Sequence, residues 1–193
     1  MRSAKVERST KETQIIIEVN LDGGEVAVKT GVGFFDHMLI AFAVHGGFGL
    51  NVQVTGDLEV DCHHTVEDTG IVLGQAFAKA LGDKSGINRY GSFFVPMDEA
   101  LAFTSLDISG RPYLVFKAEF PQEQVGDFDA CMTEEFFRAF AFHAGITMHI
   151  KVDYGANSHH IIEGIFKSTA HALKAAVMVN DTAMPLSTKG ALD

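Results

Sequence analysis

Apolar residues recur along this chain with two different spacings, and their order divides it into two similar halves. Gln14-Ile15-Ile16-Ile17-Glu18-Val19 and Glu25-Val26-Ala27-Val28-Lys29 read as strands, with Asn20-Leu21-Asp22-Gly23-Gly24 as the hairpin turn between them. Phe34 to Leu39 leads into an apolar helix that ends near Gly46-Gly47, where glycine suits a C-terminal cap. Leu50-Asn51-Val52-Gln53-Val54 alternates and predicts a further strand. An Ala-rich helix then runs through Ile71-Val72-Leu73 to Gly82. After a polar connection over 83–91 the pattern restarts. Strands are predicted at 99–107 and 113–118, turned by Ser109-Gly110-Arg111-Pro112, followed by a helix over 133–144, a strand over 147–152 and a second Ala-rich helix to Val177. Each half reads strand, strand, helix, strand, helix, which makes the chain an α+β protein of duplicated ββαβα halves, 1–91 and 92–193, forming one compact unit.

The repeat holds residue by residue. His37 to Gly47 aligns with Glu135 to Gly145, and Ala, Phe, Ala, His and Gly coincide at the same offsets. In this frame His37 is matched by Glu135. His45 matches His143; both lie inside apolar helices and read as core histidines, while His149 and His171 gain no role from their spacing.

A second coincidence carries chemistry. Asp61-Cys62-His63-His64-Thr65-Val66-Glu67-Asp68 is echoed by Ser158-His159-His160-Ile161-Ile162-Glu163-Gly164, each a His-His-x-x-Glu that opens a helical segment. On a helix His63 and Glu67 are i,i+4 neighbours on one face, as are His159 and Glu163. His64 and His160 lie about 100° further round, too far to share a metal with their neighbours. Each copy thus offers a two-ligand clip and one imidazole aimed elsewhere, which suits a pair of metal sites. With His37 and Glu135 the repeat proposes eight ligands for a hard or borderline cation: His37, His63, His64, Glu67, Glu135, His159, His160 and Glu163.

Composition narrows the class. The 193 residues are 47% hydrophobic, enough for a sizeable core, and no apolar run reaches the roughly 20 residues of a membrane span. The charged N-terminus lacks the apolar stretch of a signal peptide, and two cysteines give no disulfide framework, so a reducing cytoplasm is expected. Cys62, beside the first His pair, offers a soft ligand but reads better as a small apolar core residue. A formal charge of −10 excludes a general nucleic-acid binder, so a few local cations must hold any ligand phosphate.

The residues quoted so far, with Phe34-Phe35-Asp36-His37-Met38-Leu39, Ser109-Gly110-Arg111-Pro112-Tyr113-Leu114 and Pro185-Leu186-Ser187-Thr188-Lys189-Gly190, resemble the imidazoleglycerol-phosphate dehydratase family. The resemblance extends from Arg8 to Gly190 and is to the monofunctional members. It implies helices bundled between two four-stranded sheets and a site with two Mn²⁺. It further implies dehydration of imidazole glycerol phosphate to imidazole acetol phosphate in histidine biosynthesis, and a homo-oligomer of 24 subunits with active sites between neighbours. One departure stands out: Glu135 replaces a histidine that several members carry, and a carboxylate suits Mn²⁺ at least as well.

The chemistry accounts for the ligands. Two Lewis-acidic metals on the two ring nitrogens would hold the substrate as an imidazolate able to expel the hydroxyl. The expected division is His63, Glu67, His160 and Glu135 on one metal, with His159, Glu163, His64 and His37 on the other. By family position Glu12 is the expected proton carrier and Asp98 a second carboxylate that orients a hydroxyl; by its own context Glu12 reads as a solvated charge before a strand. Arg89, Arg111, Lys167, Ser187 and Lys189 match the family's phosphate-binding positions, and without the family the cations among them read as surface charges. A metal-storage shell does not explain the cations, and a two-metal phosphoesterase usually has bridging carboxylates rather than two sets rich in imidazole.

Overall fold

Two sheets and two pairs of helices stack in four layers, and the computed structural model describes residues 2–180, 186 and 187 of the chain. The first half is β1 (Ser3–Ser9), β2 (Thr13–Asn20), β3 (Val26–Lys29), α1 (Gly33–Gly46), β4 (Gly49–Gly56) and α2 (His63–Leu81). The second half comprises β5 (Tyr90–Met97), β6 (Ala100–Asp107), β7 (Tyr113–Lys117), β8 (Gln124–Val125), β9 (Phe128–Asp129), α3 (Met132–Ala144), β10 (Thr147–Tyr154) and α4 (Ser158–Val177). β8 and β9 pair only with each other; the remaining elements repeat as β-β-β-α-β-α, so each half holds one strand more than the alternation predicts.

The two added strands, β1 and β5, are sheet edges, and this explains why their pattern is weak. β1 buries only Val6 and carries Lys5, Glu7 and Arg8, charges of the kind that protect an edge from mispairing. β5 contains Gly91 and Pro96, and proline is tolerated where one side of the ladder is open. β5 runs through residue 91, inside the segment read as a polar connection.

Strand pairing corrects the expected hairpins. The orders are β1-β2-β4-β3 and β5-β6-β10-β7. β4 lies between β2 and β3, antiparallel to the first and parallel to the second, and β10 lies likewise between β6 and β7. The stretches Asn20–Gly24 and Ser109–Pro112 are therefore links that step over a strand position filled later in the chain. The tight hairpins are β1-β2 and β5-β6.

Each sheet has one buried face. β2 buries Thr13, Ile15, Ile17 and Val19, and β6 buries Ala100, Ala102, Thr104 and Leu106. The first sheet packs on α1 and α2 and the second on α3 and α4, while α1 crosses α4 and α2 crosses α3. Phenylalanines fill the centre. Phe136 of α3 stacks on Phe166 of α4 with centroids 5.2 Å apart and meets Phe35 of α1 edge-on at 5.3 Å. Phe140 of α3 meets Phe42 of α1 at 6.1 Å and Phe77 of α2 at 5.3 Å, both edge-on.

Glycines set the approach of α2 to α3. A Cβ at Gly70 would lie 2.7 Å from the carbonyl oxygen of Phe136, and one at Gly74 would lie 2.6 Å from that of Phe140. Replacing Gly74 with Ala must push the helices apart, so Gly74→Ala is expected to destabilise the fold by about 1–3 kcal/mol. Gly33→Ala is the control: a Cβ there meets nothing within 4 Å, and the better helix former should raise stability by up to about 1 kcal/mol. Denaturant melts of the two variants check the difference, and equal midpoints would refute the close-packing account.

Candidate metal centre

Both predicted His-Glu clips form, and their geometry is nearly the same. Asp61 accepts the His63 backbone N–H at 2.7 Å, and Asn157 accepts that of His159 at 2.9 Å. An Asx side chain two residues ahead of each pair thus satisfies an open N–H and fixes where the helix starts. His63 Nε2 lies 3.3 Å from Glu67 Oε2, and His159 Nε2 lies 3.3 Å from Glu163 Oε2. The paired rings stand at 6.1 Å and 74° in α2 and at 6.0 Å and 77° in α4. As the helical spacing predicts, His64 and His160 point away from these clips.

One clip gains a third donor. Asp36 accepts the backbone N–H and hydroxyl of Thr30 at 2.7 and 2.6 Å, which fixes the entry to α1. The next residue, His37, places Nε2 3.9 Å from Glu163 Oε2. Donor atoms of His37, His159 and Glu163 all lie within 4.8 Å of one another, the one such group among the described residues. Lys167 Nζ binds the other Glu163 oxygen at 2.8 Å, as its i,i+4 position predicts. Burial pushes the Glu163 carboxyl up, but the hydrogen bond and charge of Lys167, aided by His37 and His159, outweigh it and leave the pKa below the ordinary value. Phe34 sets its ring edge against His159 at 4.9 Å and closes one flank.

The other clip is less complete within the chain. Glu135 lies in the first turn of α3, the helix that packs on α2, and its Oε2 is 3.6 Å from Arg138 Nε. It does not form a three-donor group with His63 and Glu67 among the described residues.

His64 and His160 occupy matching polar niches. His64 Nδ1 faces Asp57 at 2.9 Å, with Glu12 3.9 Å from its Nε2. His160 Nδ1 faces Glu99 at 2.7 Å, with Asp98 3.8 Å from its Nε2. Hydrogen bonds to Asp57 and Glu99 raise the two imidazole pKa values above the ordinary one, and the His160 contact is the main cause of the fall of the Glu99 carboxyl to about 2. Glu12 reaches its place because Asp68 of α2 binds Arg8 and Thr13 on either side of the β1-β2 turn. Sequence reasoning missed Asp57 and Glu99. Glu99 was expected only as the start of a strand, Asp57 gained no role, and no spacing rule links either to a histidine.

Among the described candidate phosphate cations, Arg89 and Arg111 do not converge on the cluster with Lys167. Arg89 is buried, forks both oxygens of Asp107 at 2.6 and 3.0 Å and donates to the Leu186 carbonyl at 2.6 Å, which holds it beside half-buried Ser187. Its pKa is raised by the Asp107 hydrogen bond. Exposed Arg111 uses its backbone carbonyl to accept from Thr147 Oγ1 at 2.8 Å. Lys189 lies outside the described residues. The Arg89 backbone N–H bonds the Ala176 carbonyl near the C-terminal end of α4, whereas His159 and Glu163 sit at its N-terminal end. At 1.5 Å per residue these ends are roughly 20 Å apart. Among the described residues of this set, Lys167 alone stands beside the metal donors.

His45 and His143 depart from the core reading. His143 is exposed and bonds the Ala139 carbonyl, while half-buried His45 places Nδ1 3.1 Å from Nε2 of His171. Burial is the leading reason that both of those imidazole pKa values fall. Cys62 is buried as expected. No helix among the described residues is long and apolar enough to cross a membrane.

Comparison with known proteins gives one answer. The family model described as imidazoleglycerol-phosphate dehydratase matches residues 30–173. An imidazoleglycerol-phosphate dehydratase from Acetivibrio thermocellus is 57% identical, with 99% of both chains covered. One from Streptococcus mutans is 56% identical over the full length of both. Among solved structures, that of the Staphylococcus aureus dehydratase is 43% identical with a TM-score of 0.85, covering 92% of this chain and 99% of that one. The Pyrococcus furiosus protein, in complex with (S)-C348, is 37% identical with a TM-score of 0.85, covering 97% and 100%. By sequence and by fold, the chain belongs to the imidazoleglycerol-phosphate dehydratase family, hydro-lyases of histidine biosynthesis.

Proposed function

We propose that the chain is a cytoplasmic dehydratase that converts imidazole glycerol phosphate to imidazole acetol phosphate, with two Mn²⁺ in each active site and each site shared between copies of the chain. The observation that carries the metal reading is the cluster of His37, His159 and Glu163 with donor atoms within 4.8 Å. Two imidazoles and a carboxylate suit a hard to borderline divalent cation. His37, His159 and Glu163, completed by His64 from another copy, would hold one ion; His63, Glu67 and Glu135, completed by His160, would hold the other. When bound, the two ions supply the Lewis acidity that keeps the substrate ring as an imidazolate.

The chain's own residues do the rest. Glu12, 3.9 Å from His64 Nε2, would move the proton lost from carbon, and Asp98, 3.8 Å from His160 Nε2, would orient the substrate hydroxyl. Lys167 neutralises Glu163 on the side away from the donor cluster and offers the phosphate a charge at short range. Arg89, Arg111, Ser187 and Lys189 would complete the phosphate site from a different copy, because Arg89 and the metal donors lie at opposite ends of α4. The resemblance implies an assembly of 24 subunits.

Metal removal tests the shared site. Chelator-treated protein is expected to scatter light as smaller species, to lose turnover of imidazole glycerol phosphate, and to regain mass and activity together when Mn²⁺ returns. Constant mass throughout would refute sites between copies. Acid should act in the same direction. Asp57 and Glu99 raise the pKa of His64 and His160, so protons should begin to compete with metal at a higher pH than for a free imidazole. Metal retention measured across a pH series checks the sign.

Glu135→Gln tests the departure from the family. As a ligand its loss should remove one of two metals per subunit and most of the turnover, with Glu135→His restoring much of both. As a partner of Arg138 only, an exposed i,i+3 pair, its loss should cost about 0.3–0.5 kcal/mol of stability and no activity. Metal content per subunit, measured beside turnover, separates the outcomes.

A further inference from the structure

Asp57 and Glu99 lie outside the set of expected ligands, acids and phosphate contacts, yet both make the same contact. The Asp57 oxygens lie 2.9 and 3.2 Å from His64 Nδ1, and Glu99 Oε2 lies 2.7 Å from His160 Nδ1. A neutral imidazole has one N–H and one lone pair, and an ionised carboxylate can only accept. In the neutral form of each ring this contact favours the proton on Nδ1, which leaves the lone pair on Nε2, the nitrogen that faces Glu12 or Asp98.

We propose that Asp57 and Glu99 are positioning residues for metal binding: each holds its histidine as the Nδ1–H tautomer and so presents Nε2 as a ligand atom. This rests on the reading of His64 and His160 as ligands. Duplication does not account for the coincidence. Asp57 follows the end of β4, and the repeat frame places Gly155 at the corresponding point after β10. Glu99 comes instead from the β5-β6 turn. Two carboxylates from unrelated points in the fold thus reach the same nitrogen in the two halves.

Their anchoring differs, and the difference makes the proposal testable. Glu99 uses Oε1 to accept the backbone N–H groups of Ala156 and Asn157 at 3.1 and 2.9 Å, leaving only Oε2 for the ring. A glutamine there has one oxygen; if it serves the two backbone donors, the NH₂ group faces Nδ1 and forces the proton onto Nε2. Asp57 has both oxygens on His64, so an asparagine can turn its oxygen to the ring and keep the tautomer.

The experiment reads histidine ¹⁵N signals in the full metal-free chain, at a pH where the rings are neutral, and Mn²⁺ affinity by calorimetry. The unmutated chain should show Nδ1–H for His64 and His160. Glu99→Gln should switch His160 to Nε2–H, and Asp57→Asn should leave His64 unswitched. Mn²⁺ affinity should fall roughly 10- to 100-fold in Glu99→Gln and change by less than about threefold in Asp57→Asn. An Nε2–H ring in the unmutated chain overturns the positioning role without any variant having to fold. A switched His160 with unchanged Mn²⁺ affinity overturns the reading of His160 as a ligand, and the proposal with it.

Discussion

The rotation of four helices about a phenylalanine core is the constraint from which the site follows. Phe35, Phe42, Phe77, Phe136, Phe140 and Phe166 are fully buried and come from all four helices, so each ring contact between helices fixes one helix against another. Interiors packed at crystal-like density do not let one helix turn alone. His37 is two residues beyond Phe35, and Glu163 is three before Phe166. The ring-to-ring packing that locks α1 to α4 through α3 therefore also sets the 3.9 Å between His37 Nε2 and Glu163 Oε2. A metal in the cluster would add to an arrangement that hydrophobic burial has already made.

Duplication gives the two clips one geometry but not one charge environment. Glu163 has Lys167 one turn on, whereas the repeat puts Ile71 one turn after Glu67. On the facing helices the contrast runs the other way: His37 of α1 has Ile40 three residues later, and its counterpart Glu135 has Arg138 there. Lys167 thus stands beside Glu163 within its own clip, whereas Arg138 stands beside Glu135 on the helix that faces the other clip. The exchange of histidine for glutamate at 135 comes with a guanidinium that can balance it, which accounts for a carboxylate being tolerated at a position where an imidazole would carry no charge.

What the sequence disclosed depended on range. The i,i+4 clips and the glycine ends of α1 and α2 are local, and a helical period is enough to see them. The edge strands β1 and β5 were not visible because an edge need not alternate, and one of them tolerates proline. The supposed hairpins failed for a different reason. Asn20–Gly24 has turn chemistry, but which strand lies beside β2 is decided by β4, more than twenty residues further on. Asp57 and Glu99 share that difficulty: each meets its histidine through tertiary placement that no motif records.

The same placement bears on what one copy of the chain can do. α4 presents His159 and Glu163 at its start and bonds Arg89 through Ala176 near its end, with roughly 20 Å of helix between them. A glycerol phosphate attached to an imidazole ring is too short to touch both. His64 and His160, turned about 100° from their clips, are likewise aimed away from the donors of their own helices. In the proposed shared site, a second copy would bring its own divergent set to the same small substrate. The helical spacing that sends adjacent histidines in different directions is thus the local feature on which the proposed sharing of sites between copies rests, and the rigid core keeps those directions fixed.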